Sequence, residues 1–342
     1  MIKKSLLFLI LLAFLCHNSF SQDSTSAFPI KVKYGIYIKK LEPDFKTGKF
    51  VTEFYWWTLF HNDSVKTDYT QDDIMNMEYV NCSDCETGQF MQDLQEFRVL
   101  DSNYFYFTGR HEGEFTFNPN FSDYPFDKQA LPIKLENVLI TSDQLLFETD
   151  TVSYFNSKQD PKFYGISDDL LSHKSREFNI TGTKFIVNPG VYNTNFGDPD
   201  MPFLSKYSRM ETQVHIDRAV IPYLAKILLP IMIILFLVYF AFYIPAERID
   251  VNAALTVTSL LSAIAFQMAI NSSLPNIGYL IYVDKLFLLC YSLIVLAMAE
   301  SIVTYYLDRT GVKEKVRMAI KTDIVFRFLF PVLFFIGCFV FI

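Results

Sequence analysis

The chain has 342 residues, 51% hydrophobic and 17% aromatic, with a formal net charge of −7. Its apolar residues gather at the two ends, while Gln22 to Pro222 carries 19 Lys and Arg against 30 Asp and Glu. So acidic a stretch disfavours nucleic acid and anionic lipid as its partners and draws in cations instead.

Met1 to Ser21 combines Lys3 and Lys4, an apolar run and the small-residue site Ser19-Phe20-Ser21, the pattern of a secretory signal peptide. Cys16 follows the bulky Leu15, so it reads as part of that signal and not as a lipid-attachment site. From Ile30 the chain alternates in strand fashion to Leu41, turns at Lys46-Thr47-Gly48-Lys49 and alternates again from Phe50 to Phe60. Further strands are predicted at Phe97 to Leu100, Tyr104 to Gly109, Gly113 to Asn118, Leu131 to Glu136, Gln144 to Thr149, Phe178 to Val187 and Met210 to Arg218. About ten strands without a convincing amphipathic helix predict a β-sandwich domain over residues 22–222. Thr151 to Glu177 is polar and irregular and reads as a long loop. Cys82 and Cys85 are the cysteines of this stretch. In an oxidising compartment they predict a small-loop disulfide, since a zinc site needs two more ligands and no second CxxC exists.

The remainder predicts an all-α, four-helix transmembrane domain over 223–342. Its helices are expected at about 223–244, 250–272, 279–306 and 324–342, each long enough to span a bilayer. The connection 307–323 carries Arg309, Lys313, Lys315, Arg317 and Lys321, whereas Ser272 to Asp284 has no Lys or Arg. The positive-inside rule therefore places 307–323 in the cytoplasm as a loop and the sandwich outside. Cys290 and Cys338 fall in membrane helices as small packing residues.

Glu247 to Pro275 is the most informative segment. Asp250, Ala254, Thr258, Leu261, Ala265, Met268 and Ser272 recur at steps of three and four and form one stripe too small and polar for lipid. Such a stripe either lines water or packs closely against neighbouring helices. A carboxylate at its head, Asp250, is costly in a membrane segment unless it meets water or a partner, which makes it a functional candidate.

No catalytic constellation emerges. His111-Glu112-Gly113-Glu114 lacks the second histidine of a helical zinc-protease motif and sits among strands. There is no nucleophile elbow, phosphate loop or dinucleotide fingerprint, and His61, His173 and His215 stand alone in sequence. The chain reads as a protein that is not an enzyme and uses no cofactor.

Phe121-Ser122-Asp123-Tyr124-Pro125-Phe126-Asp127-Lys128-Gln129 resembles the signature loop of the pentameric ligand-gated ion channel (Cys-loop receptor) family. Ile30 to Trp57 is similar to that family's first two strands, Met210 to Arg218 to its last strand, and Ile221 to Pro230 to the start of its first membrane helix. Phe266, Pro275 and Tyr279 to Lys285 resemble its second helix and the link to the third. The likeness runs in order along nearly the whole mature chain. Ala130 stands where animal members close the loop with cysteine, and no cysteine lies near Thr116, as in the family's prokaryotic branch.

The resemblance implies a homopentamer in the inner membrane, with its sandwich in the periplasm and a pore lined by five copies of the stripe. Asp250 is expected as a ring selecting monovalent cations and Leu261 as the main hydrophobic gate. Coupling between sandwich and pore is expected from Asp44, from Pro125, Phe126 and Asp127, from Arg218 paired with Asp127 and also with Asp44, and from Leu274 and Pro275. The ligand, a small extracellular molecule, a proton or a divalent ion, is expected under a hairpin near Tyr192 to Tyr207. Tyr55, Trp57, Tyr192, Phe196, Phe203 and Tyr207 offer a cation-π cage, although core packing accounts for these aromatics equally well. Asp198 with Asp200, or Asp72, Asp73, Asp84 and Glu86, offer oxygen ligands to a divalent ion, with solvated loop carboxylates as the plainer account. A non-conducting membrane receptor relaying a periplasmic signal is the alternative function.

Overall fold

The computed structural model describes residues 29–61, 69–85, 89–100, 104–155, 159–172, 177–199 and 203–341. The expected signal peptide with Cys16, and Glu86, His173 and Asp200, lie outside the described residues. Nine strands are described: β1 (Ile30–Asp44), β2 (Lys49–His61), β3 (Met77–Tyr79), β4 (Leu94–Leu100), β5 (Tyr104–Thr116), β6 (Lys128–Thr141), β7 (Leu145–Thr149), β8 (Phe178–Tyr192) and β9 (Ser205–Arg218). They form a five-stranded sheet ordered β4-β5-β2-β1-β7 and a four-stranded sheet ordered β3-β6-β9-β8.

The two sheets face each other because each strand's alternation supplies one apolar face. In β2 the inward set is Phe50, Thr52, Phe54, Trp56, Thr58 and Phe60, all fully buried, and the outward set is half-exposed. The opposite sheet answers with Leu131, Ile133, Leu135, Met210, Val214 and Ile216. Burial of each such side chain stabilises the sandwich by about 1.5–3 kcal/mol.

Sequence reading splits β5 into two strands at its glycines, yet the strand runs unbroken to Thr116. Both glycines serve close approach instead of a turn. A Cβ on Gly109 would lie 2.5 Å from the Trp56 ring, and one on Gly113 would lie 2.6 Å from His111 Nε2. The segment expected as a long loop is also packed. It holds the short helices Val152–Phe155, Pro161–Phe163 and Asp168–Ser172, with Tyr154, Ile166 and Leu170 buried. The Tyr154 hydroxyl donates to the Ile36 carbonyl at 2.6 Å and accepts from the Ile36 amide at 2.8 Å. One aromatic side chain thus satisfies backbone groups of β1 that a solvated loop would leave to water.

Four long apolar helices follow: α1 (Val220–Tyr239), α2 (Ile249–Asn271), α3 (Tyr282–Arg309) and α4 (Lys313–Phe341). Of these α3 is the most enclosed, burying Leu286, Phe287, Cys290, Leu293, Ile294 and Ala297. The basic stretch expected as loop 307–323 is helical from Lys313, so α4 begins eleven residues before its apolar part. Gly311, at φ 64°, is the breaker between α3 and α4. After it the chain meets no Gly or Pro until Pro331, and its Lys, Glu, Arg and Ala residues favour helix. Positive charge at a membrane border does not require a loop. Where α1 ends in the 3-10 turn Phe240–Tyr243, Arg327 of α4 donates to the Phe242 carbonyl at 3.0 Å, capping a group that the helix end leaves free.

Candidate functional site

The junction between sandwich and helices is built on Arg218, the last residue of β9. Its Nε donates to Asp127 Oδ1 at 2.8 Å and its Nη2 to Asp127 Oδ2 at 3.1 Å. Only 6% of the arginine side chain and 1% of the aspartate side chain are exposed. Burial by itself would weaken the guanidinium's hold on its proton. The two hydrogen bonds it donates to Asp127, with the carboxylate's charge, reverse that and raise the Arg218 pKa above the ordinary arginine value. Phe45, Tyr124 and Tyr223 surround the cation at 4.6, 5.0 and 4.9 Å from their ring centroids, so the face of the guanidinium that no carboxylate covers meets π density. Gln129 completes the carboxylate's shell, its Nε2 donating to Asp127 Oδ2 at 2.8 Å.

Asp44 does not join this pair. Its carboxylate accepts from the Lys46 amide at 3.0 Å and from Thr47 Oγ1 at 2.9 Å, closing its own turn. An aspartate at the first position of a turn finds nearer donors in its own backbone than any across the junction. The neighbour Phe45 is the residue of that turn that reaches Arg218. Pro125 follows a cis peptide bond, Phe126 is exposed, and Leu274 packs into the helix core.

Hydrogen bonds link the sandwich to the end of α2 and the segment after it. Lys46 Nζ donates to the Ser272 carbonyl at 3.1 Å, and the Phe121 amide donates to the Tyr279 hydroxyl at 2.9 Å. A cavity of about 540 Å³ opens between Lys46, Tyr124, Arg218, Tyr223, Phe266 and Leu274. The roles of Lys46 and Tyr279 were not legible in the sequence because a lone polar residue outside a periodic element carries no pattern, and that of Gln129, at the start of β6, depends on where Asp127 lies.

Along α2 the stripe faces outward. Asp250, Ala254, Thr258, Leu261, Ala265, Met268 and Ser272 are all exposed in the single chain, Leu261 by 66% and Met268 by 68%. A second small and polar set, Asn252, Thr256, Ser259 and Ala263, is buried against the rest of the bundle. Thr256 Oγ1 donates to the Asn252 carbonyl at 2.9 Å, returning its hydroxyl to its own helix. Close packing therefore falls to a different set of small residues from the stripe. Asp250 has one charged neighbour, Arg248, at 4.0 Å, and both are well exposed.

The β8–β9 hairpin brings Tyr192 to 5.5 Å from Phe196 and 5.9 Å from Tyr207, centroid to centroid. These rings edge a cavity of about 360 Å³ that also contains Glu78, Glu136 and Leu139. Arg209 Nε donates to Glu136 Oε2 at 2.7 Å, and Arg209 Nη2 donates to the Tyr192 hydroxyl at 3.2 Å. Burial pushes the Glu136 carboxyl above the usual range while Arg209 pulls the other way. Sequence reading missed Glu136 and Arg209. The available signal was an acid and a base that become cross-strand partners once β6 and β9 pair.

Tyr55 and Trp57 do not join the hairpin rings within one chain, because β2 belongs to the other sheet. Trp57 Nε1 donates to Asp150 Oδ2 at 2.8 Å, and its ring lies 5.5 Å from that of Tyr154. Phe203 is 76% exposed. Among the described residues, the carboxylates considered for a divalent ion form no such group: Asp73 caps a helix with Thr70, and Asp84 Oδ1 accepts from the Glu114 amide at 2.9 Å. Among the described residues, the close group of ligand-type side chains is Cys82, Cys85 and His111. Cys82 and Cys85 are disulfide-bonded, and their short loop is not the signature-loop pair of animal receptors.

No protein-family model matches the chain. It is 26% identical over 215 residues to a proton-gated ion channel of Gloeobacter violaceus, covering 63% of this chain and 53% of that protein. It is also similar to gamma-aminobutyric acid receptor beta subunits. The identity is 22% over 181 residues with that of Caenorhabditis elegans, covering 53% of this chain and 29% of the receptor subunit. With that of Lymnaea stagnalis it is 24% over 178 residues, covering 52% and 32%. The matched span takes in about half the length of the first relative and under a third of the other two.

Proposed function

We propose that this chain, a relative of the pentameric ligand-gated ion channels in sequence and fold, is one subunit of a homopentameric, cation-selective channel opened by a small ligand at its β-sandwich. The observation that carries this reading is the uncovered stripe of α2. Its side chains are exposed in the single subunit, while a separate set of small and polar residues is buried against the rest of the bundle. A bilayer is a poor solvent for Asp250, Thr258 and Ser272, and water enclosed by five such helices is a good one.

In that arrangement the Asp250 carboxylates form a ring at the inner mouth that concentrates cations and repels anions. Leu261, Ala265 and Met268 form an apolar stretch that blocks ions by dewetting when the pore is narrow. The signal enters at the hairpin, where Tyr192, Phe196 and Tyr207 together with Glu78 present π faces and a carboxylate suited to a cationic or zwitterionic small molecule. Tyr55 and Trp57 reach that ligand only from a neighbouring subunit. The Arg218–Asp127 pair, with Phe45 packed on the arginine, then carries movement of β9 to α1 and, through Lys46 and Tyr279, to the outer end of α2.

The test is reconstitution of the purified chain in a planar bilayer, with current recorded while pH, calcium and small amines are varied. Currents with reversal potentials on the cation side of a salt gradient are expected. Protein that assembles and binds ligand yet passes no current under any of these conditions would favour a receptor that relays its signal without conducting.

A further inference from the structure

His111, in the middle of β5, is wholly buried, yet its two nitrogens are treated unequally. Nδ1 is hydrogen-bonded to the Asp93 carboxylate, so in the neutral tautomer that matches this contact the proton lies on Nδ1 and the lone pair on Nε2. Nε2 faces Cys85 Sγ at 3.5 Å. A disulfide sulfur has no hydrogen to donate, so while Cys82 and Cys85 are bonded this lone pair is enclosed and unmatched. Rings of Tyr79, Phe54 and Phe115 stand around the imidazole with centroids at 4.7, 5.3 and 5.6 Å. No water-facing role suits a histidine so enclosed. Gly113 keeps the space open, since a Cβ there would lie 2.6 Å from Nε2.

The sulfurs of Cys82 and Cys85 and a ring nitrogen of His111 all lie within 4.8 Å of one another. Tetrahedral zinc, with bonds of about 2.3 Å to sulfur and 2.0–2.1 Å to nitrogen, sets ligand atoms roughly 3.5–3.8 Å apart. The Cys85–His111 distance already has that value. A histidine that ligates through one nitrogen while giving its other N–H to a carboxylate is the usual arrangement at zinc, the carboxylate orienting the ring and raising its basicity. Asp93 is placed for that role.

We propose that Cys82, Cys85 and His111, oriented by Asp93, form a thiolate–imidazole site for Zn²⁺ when the Cys82–Cys85 bond is reduced. Disulfide and metal are then alternative closures of the segment between β3 and β4 against β5. The chemistry balances in two steps. A dithiol reductant passes two electrons and two protons to the disulfide, leaving two thiols and its own oxidised disulfide. Zn²⁺ then binds both sulfurs with release of two protons and takes the Nε2 lone pair, and water fills the fourth position. The site is separate from the pore, the junction and the hairpin, and it stands independently of the channel reading.

The test uses the full chain in detergent, reduced under argon, incubated with Zn²⁺ and desalted. About one Zn²⁺ per chain is expected after reduction, with the Cys82 and Cys85 thiols protected from alkylation. Less than about a tenth of that is expected without reduction or in a Cys82→Ser/Cys85→Ser variant. Co²⁺ in place of Zn²⁺ should give a thiolate charge-transfer absorption. This reads the site directly even if His111→Gln fails to fold. Asp93→Asn should retain the metal with affinity lowered about 10–100-fold. Zinc uptake that is equal before and after reduction, or unchanged in the double serine variant, overturns the proposal; so does reduced protein that takes up none.

Discussion

Arg218 and Asp127 illustrate how a charge can be kept at a domain junction. Removing two ions from water is costly, and the pair offsets that cost only through close geometry and added partners, here Gln129 and three aromatic rings. Deleting one member strands the other. Asp127→Asn or Arg218→Gln is therefore expected to cost about 3–5 kcal/mol, the range for breaking a buried pair. A double-mutant cycle on activation should give a coupling energy of about 0.5–3 kcal/mol. Additive effects, with no coupling beyond error, would mean that the two residues do not act as a unit. Glu136 shows the reverse balance. Its folded pKa is raised by burial, so the folded state holds the proton more tightly than the unfolded chain. That contribution to stability is complete below the unfolded value, for which 4.5 is the reference, and fades as pH rises through the folded value. Arg209→Gln removes the opposing cation and should extend this loss to higher pH. Melting temperature measured against pH checks it: the variant should fall further below the parent as pH rises, and a constant gap would refute the assignment.

At the scale of elements, α2 divides its small and polar residues between two faces. One face, with Asn252, Thr256, Ser259 and Ala263, is buried, and the other presents the stripe. Leu261 is the large aliphatic residue at the middle of that stripe. Leu261→Ser should hydrate the constriction of a closed pore and raise resting current or ligand sensitivity, whereas Leu261→Ile should change little. Normal expression with unchanged leak and sensitivity in Leu261→Ser would move the gate to Ala265 or Met268. The strand β5 teaches a related lesson about elements. Its glycines resemble turn residues in sequence, but each makes room for a large side chain, Trp56 at Gly109 and His111 at Gly113.

For the whole molecule, the acidic sandwich and the basic start of α4 divide charge along the chain. In the proposed orientation the sandwich lies outside, so cations would meet negative surface first, and the proposed Asp250 ring would repeat that preference at the far end of the stripe. Its effect depends on assembly: one exposed carboxylate beside Arg248 is nearly neutral in sum, while five carboxylates converging on an axis make a strong local field. Asp250→Ala should thus weaken cation over anion selectivity, read as a shift of reversal potential toward zero in a salt gradient. Anion preference in the parent protein would instead show that Asp250 does not set selectivity.

What the sequence determined by itself are the features that local physics writes into short windows. Alternation of period two in β1 and β2 specified strands and their buried face. Runs of about twenty apolar residues specified four membrane-length helices, and the three-and-four spacing from Asp250 to Ser272 specified a stripe. The likeness of Tyr124 to Asp127 and of Met210 to Arg218 to known motifs pointed to the junction. Tertiary structure decided everything that depends on residues distant in sequence. It brought Arg218 to Asp127 but left Asp44 to its own turn, set Glu136 against Arg209 across two strands, and packed Tyr154 onto β1. It also enclosed His111 between Asp93 and the Cys82–Cys85 bridge, where the sequence offered only a His-Glu-Gly-Glu run without a second histidine. The physical reason is one of range: propensity and periodicity act over a few residues, whereas burial and charge pairing are settled by which strands lie side by side.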